Sequence, residues 1–144
     1  MKFLIGLVVV LGLAGGAQAQ SADYGDDTSE WANDGECDDR RFTGAGVTGS
    51  LDSDDSGHDA TDCKRAVEFG RAKLWVFADA IKVTQCDAVN FGDDSSEWAK
   101  DRECDDFRFE GDGMSAVVLS EDIGRDAADC RRLCDAGKIA LRDY

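Results

Sequence analysis

The hydrophobic positions of this chain are concentrated at its start and are sparse afterwards. Residues 3–13 form an almost unbroken apolar run behind Lys2, and the Ala-Gln-Ala at residues 17–19 has the small-x-small pattern of a signal-peptidase site. We therefore expect a signal peptide over residues 1–19 and a mature chain that begins at Gln20. Because the apolar run is too short to span a bilayer comfortably, we expect no membrane span once the leader is removed.

After the leader, short apolar runs alternate with loops rich in Asp and Gly. Apolar positions at helical spacing predict one helix near residues 60–69 and another near residues 127–136. Gly70 and Gly137 follow these segments, where a helix stop is expected. Runs of β-type residues predict short strands. The predicted strands are residues 73–77, 81–86 and 138–142.

The chain repeats itself at an offset of 67 residues. The nineteen residues from Tyr24 to Phe42 return as Phe91 to Phe109 with 14 identities, and the register then continues without a gap. Such self-similarity indicates a duplicated structural unit. We expect a small α+β, disulfide-rich fold in which two tandem pseudo-symmetric modules pack as one body. The expected segments are a first acidic disulfide module at residues 20–77, an inter-module strand segment at 78–90 and a second acidic disulfide module at 91–144.

Six cysteines in an exported chain indicate an oxidising compartment, either the periplasm or the extracellular medium. Two cysteines of the first copy recur in the second, so equivalent bridges are expected in both, and the two cysteines without counterparts are paired with each other. A zinc thiolate site is the alternative, but the chain has no Cys-x-x-Cys pair to build it. The expected disulfides are Cys37–Cys63, Cys104–Cys130 and Cys86–Cys134.

The net negative charge of the chain excludes several classes of binding partner. The segment after the leader carries 31 acidic and 15 basic residues, a net charge of −16. Nucleic acids and anionic membrane surfaces would be repelled, so we expect no nucleic-acid partner, and we expect cations or basic protein surfaces instead. Aliphatic residues are scarce enough for a disordered acidic chain, but the cysteines and the ungapped repeat argue against disorder.

Acidic positions are retained between the two copies while their neighbours change. Crowding carboxylates beside a disulfide is costly unless a cation neutralises them, and Ca²⁺ accepts six to eight oxygen ligands from flexible loops. We therefore expect Ca²⁺ at these loops, with a merely solvated acidic surface as the alternative. The predicted ligands are Asp34, Glu36, Asp38, Asp39 and Asp62 in the first copy and Asp101, Glu103, Asp105, Asp106 and Asp129 in the second.

The aromatic residues of the repeat have two interpretations. Trp31 and Trp98 are retained, as are Phe42 and Phe109. We expect all four to fill small cores, because thin modules need their aromatic side chains inside. The alternative for the tryptophans is a platform for a sugar. The chain's one histidine, His58, is replaced by arginine in the second copy, and no catalytic residue is expected.

The strings Trp-Ala-x-Asp-x-Glu-Cys-Asp-Asp-x-Arg-Phe and Asp-Ala-x-Asp-Cys resemble an uncharacterised repeat of exported bacterial proteins that is sometimes found beside protease-like domains. The resemblance covers residues 25–70 and 92–137 and implies no particular activity. The Cys…Asp…Asp-Cys layout is also loosely similar to calcium-binding disulfide modules such as Notch-type repeats.

These observations together predict an exported, non-enzymatic binding or structural protein that is stabilised by Ca²⁺ at its acidic loops. Two alternatives remain open. One is an exported enzyme, or a protease-associated or inhibitor module, that acts through its variable loops. The other is an acidic envelope protein without a specific ligand.

Overall fold

A computed structural model describes residues 22–143, so the predicted signal peptide lies outside the described residues. Within residues 22–143 the chain forms a small α+β fold, as predicted, and this fold contains eight strands and three α-helices. The strands are β1 Cys37–Asp39, β2 Phe42–Thr43, β3 Val47–Asp52, β4 Lys73–Leu74, β5 Cys104–Asp106, β6 Phe109–Gly111, β7 Met114–Leu119 and β8 Ile139–Leu141. The helices are α1 Ala60–Glu68, α2 Phe77–Val83 and α3 Ala127–Asp135, and 3₁₀ turns lie at Ser53–Asp55, Cys86–Ala88 and Ser120–Asp122.

A four-stranded sheet with the order β1-β3-β7-β5 forms the centre of the fold. The inner strands β3 and β7 pair antiparallel, with Leu51 opposite Val118, and each inner strand pairs in parallel with its outer neighbour. Leu51 and Val118 are fully buried, so this central pair contributes its own core contact. Two two-stranded sheets, β2-β4 and β6-β8, complete the structure.

Three disulfides are formed within residues 22–143, and they are the three pairs expected from the repeat. Cys37–Cys63 links β1 to α1 across a Cα separation of 4.5 Å, and Cys104–Cys130 links β5 to α3 across 4.7 Å. Cys86–Cys134 ties the segment after α2 to α3. Three disulfides are typical of proteins from oxidising compartments.

The helices α1 and α3 begin and end close to the predicted positions. Gly70 and Gly137 both adopt φ of +66°, the left-handed conformation that ends a helix and that glycine adopts without a Cβ penalty. Arg71 and Lys138 then donate their backbone N–H groups back to carbonyls in the last helical turn. The chain therefore reverses sharply and returns as β4 or β8.

The segment between the two copies is helical, so the predicted inter-module strand segment at residues 78–90 and the predicted strand at residues 81–86 are wrong. Ala80 and Thr84 donate their backbone N–H groups to the carbonyls of Val76 and Ala80, which is helical bonding. A short apolar run does not distinguish a strand from a buried helix. Here helix α2 buries Ala80 completely, and Thr84, which directly follows the helix, accepts the backbone N–H of Leu141 in β8 with its hydroxyl oxygen.

Phenylalanines, and not tryptophans, fill the two cores. Tyr24 stacks on Phe42 and Phe91 stacks on Phe109, each pair with ring centroids 5.5 Å apart. Trp31 and Trp98 remain 51% and 54% exposed, so the prediction that they are core residues is wrong. The stacked aromatic pairs already occupy the space beside the disulfides, and the tryptophans lie on turns outside it.

A buried ionic network joins the first half of the chain to the second. The Arg142 guanidinium bonds Glu110 at 2.7 Å and also donates to the backbone carbonyls of Arg40 and Phe42. Arg40 bonds Glu110 in turn at 2.9 Å. Burial lowers the pKa of Arg142 to about 10, which leaves it charged at neutral pH.

No helix within residues 22–143 is long and apolar enough to cross a membrane.

The core assignment predicts different costs for two aromatic substitutions. Phe42→Ala should lower the free energy of unfolding by about 3–5 kcal/mol, because it empties a fully buried site. Trp31→Ala should change it by less than about 0.5 kcal/mol, because the indole is half exposed. Denaturant unfolding of both variants with disulfides intact measures the difference. Equal losses in the free energy of unfolding would show that Trp31 contributes to the core as much as Phe42 does.

Candidate metal centres in the acidic loops

The disulfide between β1 and α1 brings two carboxylates together. Asp38 is the middle residue of β1, and Asp59 directly precedes α1. The Asp38 backbone N–H donates to Asp59 Oδ2 at 2.7 Å. Asp59 is fully buried and Asp38 is 6% exposed, yet Asp59 Oδ1 and Asp38 Oδ2 have no hydrogen-bond partner among the described residues. Buried polar atoms are nearly always satisfied, so a pair of unpartnered anionic oxygens requires an explanation.

The same arrangement recurs in the second half of the chain. The Asp105 backbone N–H donates to Asp126 Oδ2 at 3.0 Å. Asp105 Oδ2 and Asp126 Oδ1 are the unpartnered atoms, and both side chains are buried. We call the Asp38–Asp59 pair the first centre and the Asp105–Asp126 pair the second centre.

Burial and mutual repulsion raise the pKa of the carboxyls in the first centre. Loss of solvent raises the pKa of Asp38 to about 7, with further contributions from the charges of Asp34, Asp59 and Asp55. Loss of solvent also raises the pKa of Asp59 to about 6, and here the charges of Asp62 and Asp34 add to the rise. Asp34 therefore lies within electrostatic reach of both carboxyls.

The second centre has the same electrostatic character. Burial raises the pKa of Asp105 and of Asp126 to about 6. Asp101 repels both carboxyls, as Asp34 does in the first centre. The Ser115 hydroxyl bonds Asp105 and partly offsets the rise in its pKa.

The first centre opens into a cleft of about 470 Å³. Asp34, Glu36 and Asp38 line one part of it, and Asp52 and Asp55 come from the end of β3 and the 3₁₀ turn that follows. No Lys or Arg is among the described residues that line this cleft. Nothing in the cleft wall therefore neutralises the Asp38 carboxylate.

Asp39, the next residue along β1, is fully neutralised. The Arg41 guanidinium binds both of its carboxylate oxygens, with Nη2 at 2.6 Å, and the Gly57 backbone N–H donates to Oδ2 at 2.8 Å. Asp106 makes the same bonds with Arg108 and the Gly124 backbone. The sequence predicts Asp39 and Asp106 as ligands, but these donors occupy their oxygens, and neither residue belongs to the first or the second centre.

The other predicted ligands have two kinds of position. Asp62 and Asp129 accept backbone N–H groups of the acidic loops, from Gly35 at 3.0 Å and Arg102 at 2.9 Å, and so hold each loop against its helix. The remaining four lie in exposed parts of the loops. Asp34 and Asp101 accept the backbone N–H groups of Glu36 and Glu103.

Sequence reasoning missed Asp59 and Asp126 as candidate ligands. An Asp directly before a helix is expected to cap it with its side chain. Neither residue makes a side-chain cap bond, and each carboxylate faces the strand instead. Both residues are retained in the repeat, which is the one signal that could have identified them.

Sulfur does not contribute a metal ligand at these centres. Cys37, Asp59 and Cys63 offer potential ligand atoms within 4.8 Å of one another, and Cys104, Asp126 and Cys130 do the same. In both groups the two sulfurs are joined in a disulfide and carry no thiolate charge. The centres are therefore carboxylate sites, which is the donor type that suits Ca²⁺ or Mg²⁺.

Comparison with protein-family models, with curated proteins and with solved structures found no significant match to this chain. The resemblance to an exported bacterial repeat therefore stays a prediction.

The raised pKa values predict how the metal-free protein responds to pH. A carboxyl with a folded pKa above its unfolded value of 3.8 stabilises the protein fully below pH 3.8, and this stability is lost as the pH rises through about 6 to 7. The free energy of unfolding in EDTA should therefore fall between pH 4.5 and pH 8, and Asp38→Asn should flatten that fall. Denaturant unfolding across this range tests the effect, with the exposed Asp87→Asn as the matched control. Parallel curves for all three proteins would contradict it.

Proposed function

We propose that this chain is an exported, non-enzymatic binding or structural protein that binds Ca²⁺ at the first and second centres. We further propose that residues 20–77 and 91–144 are pseudo-symmetric modules, each with one centre, in the periplasm or outside the cell. One observation carries the calcium proposal: each centre contains two buried carboxylate oxygens that no donor of the described chain satisfies.

The contrast between neighbouring residues supports this proposal. Asp38 and Asp39 are both buried, but only Asp39 has an arginine bound to it. A buried charge without a counter-charge costs several kcal/mol. An arginine therefore neutralises Asp39 but not Asp38. In the same way, an arginine neutralises Asp106 but not Asp105. An external cation at Asp38 and Asp105 accounts for that difference.

The residues around each centre favour Ca²⁺ over Mg²⁺. In the first centre, Asp34 and Asp55 line the same cleft as Asp38 and raise its pKa, so these three carboxylates share one cleft beside the buried Asp59. Ca²⁺ accepts many carboxylates in irregular, loop-borne geometry, whereas Mg²⁺ demands a small octahedron and retains its waters. The ligand set we propose is Asp34, Asp38, Asp55 and Asp59 in the first centre and Asp101, Asp105, Asp122 and Asp126 in the second.

The two centres differ in charge, so we propose that they differ in affinity. Asp52 lines the first cleft, and its counterpart in the repeat is Leu119. Lys100 in the second acidic loop replaces an asparagine and lies 3.1 Å from Asp94. The first centre therefore has more negative charge and should bind the cation more tightly.

The surroundings of His58 support a non-enzymatic role. Its ring nitrogen lies 2.8 Å from Asp26 Oδ1 and 2.8 Å from the Thr28 hydroxyl, which ties two exposed loops together. In the second half Arg125 takes the same place and bonds Ser95. An arginine is a poor general base, so the shared role of these two residues is to link loops.

Calorimetric titration of the oxidised protein with Ca²⁺ should detect two sites of unequal affinity. Asp38→Asn combined with Asp59→Asn should remove the tighter site and leave the weaker one, because it neutralises both buried oxygens of the first centre. Asp105→Asn with Asp126→Asn should remove the weaker site instead. Because a ligand that binds only the folded state stabilises it, Ca²⁺ at a hundredfold excess over Kd should add about 2.7 kcal/mol per site.

Two controls separate specific binding from general screening of the acidic surface. Na⁺ at matched ionic strength should raise the melting temperature much less than Ca²⁺, since screening acts through either ion. Asp87→Asn should leave both binding heats unchanged. Absence of a binding heat, together with equal melting curves in the two salts, would contradict calcium binding and favour the interpretation that the acidic surface is only solvated.

A further inference from the structure

The first cleft contains an exposed aromatic side chain beside its carboxylates. Trp31 lines the cleft together with Asp38, and Val117 reaches it from β7 in the other half of the chain. Trp31 and Val117 are 51% and 43% exposed, so an indole and an aliphatic group lie open to solvent next to the first centre. Exposed apolar side chains that adjoin a polar site are typical of ligand-binding surfaces.

The turn that carries Trp31 is held firmly in place. The Ser29 hydroxyl accepts the Trp31 backbone N–H at 3.1 Å, and the Ser29 backbone N–H donates to the His58 carbonyl at 2.9 Å. Trp98 lies on an equivalent turn, where Ser96 makes the corresponding bonds to Trp98 and to Arg125. Each indole is therefore presented on an ordered backbone, which reduces the entropy lost when a ligand binds.

We propose that the Trp31 cleft and the equivalent turn that carries Trp98 bind a neutral polysaccharide, with one sugar ring stacked on each indole and sugar hydroxyls completing the coordination of the bound Ca²⁺. This inference rests on the proposed function, because it needs the cation in the centre. A Ca²⁺ ion held by carboxylates at the base of an open cleft keeps positions for outside oxygen ligands. The apolar face of a sugar ring carries C–H groups that suit the electron-rich face of an indole.

Charge selects among the possible ligands. The chain after the leader has a net charge of −16, so an anionic polymer would be repelled over most of the surface. A basic peptide would be attracted to the empty cleft, but bound Ca²⁺ would offset that attraction. A neutral glycan is compatible with both the surrounding field and the loaded centre.

Both centres lie on the same face of the central sheet. Asp52 and Val117 are paired across β3 and β7 and line the first cleft together, while Ser115, two residues before Val117, bonds Asp105 of the second centre. Side chains two residues apart in a strand share a face. The outer strands β1 and β5 are separated by three strand intervals, about 14 Å. One chain of several sugar units could therefore engage both sites, which favours a polysaccharide over a single sugar.

The test measures retention of the oxidised protein on immobilised neutral polysaccharides of mannose, galactose and glucose, in millimolar Ca²⁺ and in EDTA. The wild-type protein should be retained in Ca²⁺ and released in EDTA. Trp31→Ala with Trp98→Ala should weaken retention at least about tenfold and leave the calorimetric binding of Ca²⁺ unchanged. Phe69→Ala is the matched control, because Phe69 is 70% exposed and does not line the cleft.

The outcomes distinguish this inference from the proposed function. Calcium binding without retention on any of these polysaccharides would overturn the inference and leave the proposed function intact. Retention that persists in EDTA would overturn the role of the cation, and retention unaffected by the tryptophan substitutions would overturn the role of the indoles. If oligolysine binds the metal-free protein through Trp31 and no glycan binds the loaded protein, the cleft is a site for basic peptides instead. Absence of a calcium heat would overturn the proposed function together with this inference.

Discussion

The disulfide between β1 and α1, and its equivalent between β5 and α3, is the constraint on which the rest of each half depends. It holds Cys37 and Cys63 with their Cα atoms 4.5 Å apart, and the strand therefore lies directly against the start of the helix. Asp38, next to Cys37, and Asp59, four residues before Cys63, are therefore held beside each other. A bridge closing a loop of this length contributes about 3–4 kcal/mol by the chain-entropy estimate. That contribution opposes the repulsion between the two like charges, which would otherwise drive the strand and the helix apart.

Charge then divides the buried carboxylates into two kinds. Asp39 and Asp106 bind an arginine and a backbone amide, and these bonds fix the loop that follows the strand. Asp38 and Asp105 lie beside them on the same strands and are also buried, but neither binds an arginine. The structural aspartates therefore hold the backbone in place while the unpartnered ones remain available. A rigid site whose carboxylates have no counter-charge from the chain is suited to bind a cation.

The two halves share one surface, because their inner strands pair with each other and Arg142 bonds the backbone of the first half from within the second. Residues of β7 consequently complete a cleft that begins in β1. The cleft is lined by carboxylates, including the buried Asp38, and by the exposed side chains of Trp31 and Val117. That arrangement connects the proposed calcium centres to the proposed recognition of a glycan.

The repeat in the sequence was sufficient to pair the cysteines and to locate α1 and α3, because those features depend on local spacing and on the equivalence of the two copies. It also identified the acidic loops as the candidate site. The sequence could not separate Asp38 from Asp39, since adjacent aspartates look alike until an arginine in the folded chain binds one of them. Nor could it identify Asp59, whose position before a helix suggests an ordinary cap.

Tertiary structure also decided where the aromatic side chains lie and how the two copies are joined. Tyr24 and Phe42 stack within the small core, and the larger indole of Trp31 is left at the surface. The apolar run after Val76 is compatible with a strand or a helix, and its packing against β8 selects the helix. In each case the residue pattern is compatible with two arrangements. The contacts that choose between them come from residues distant in the chain.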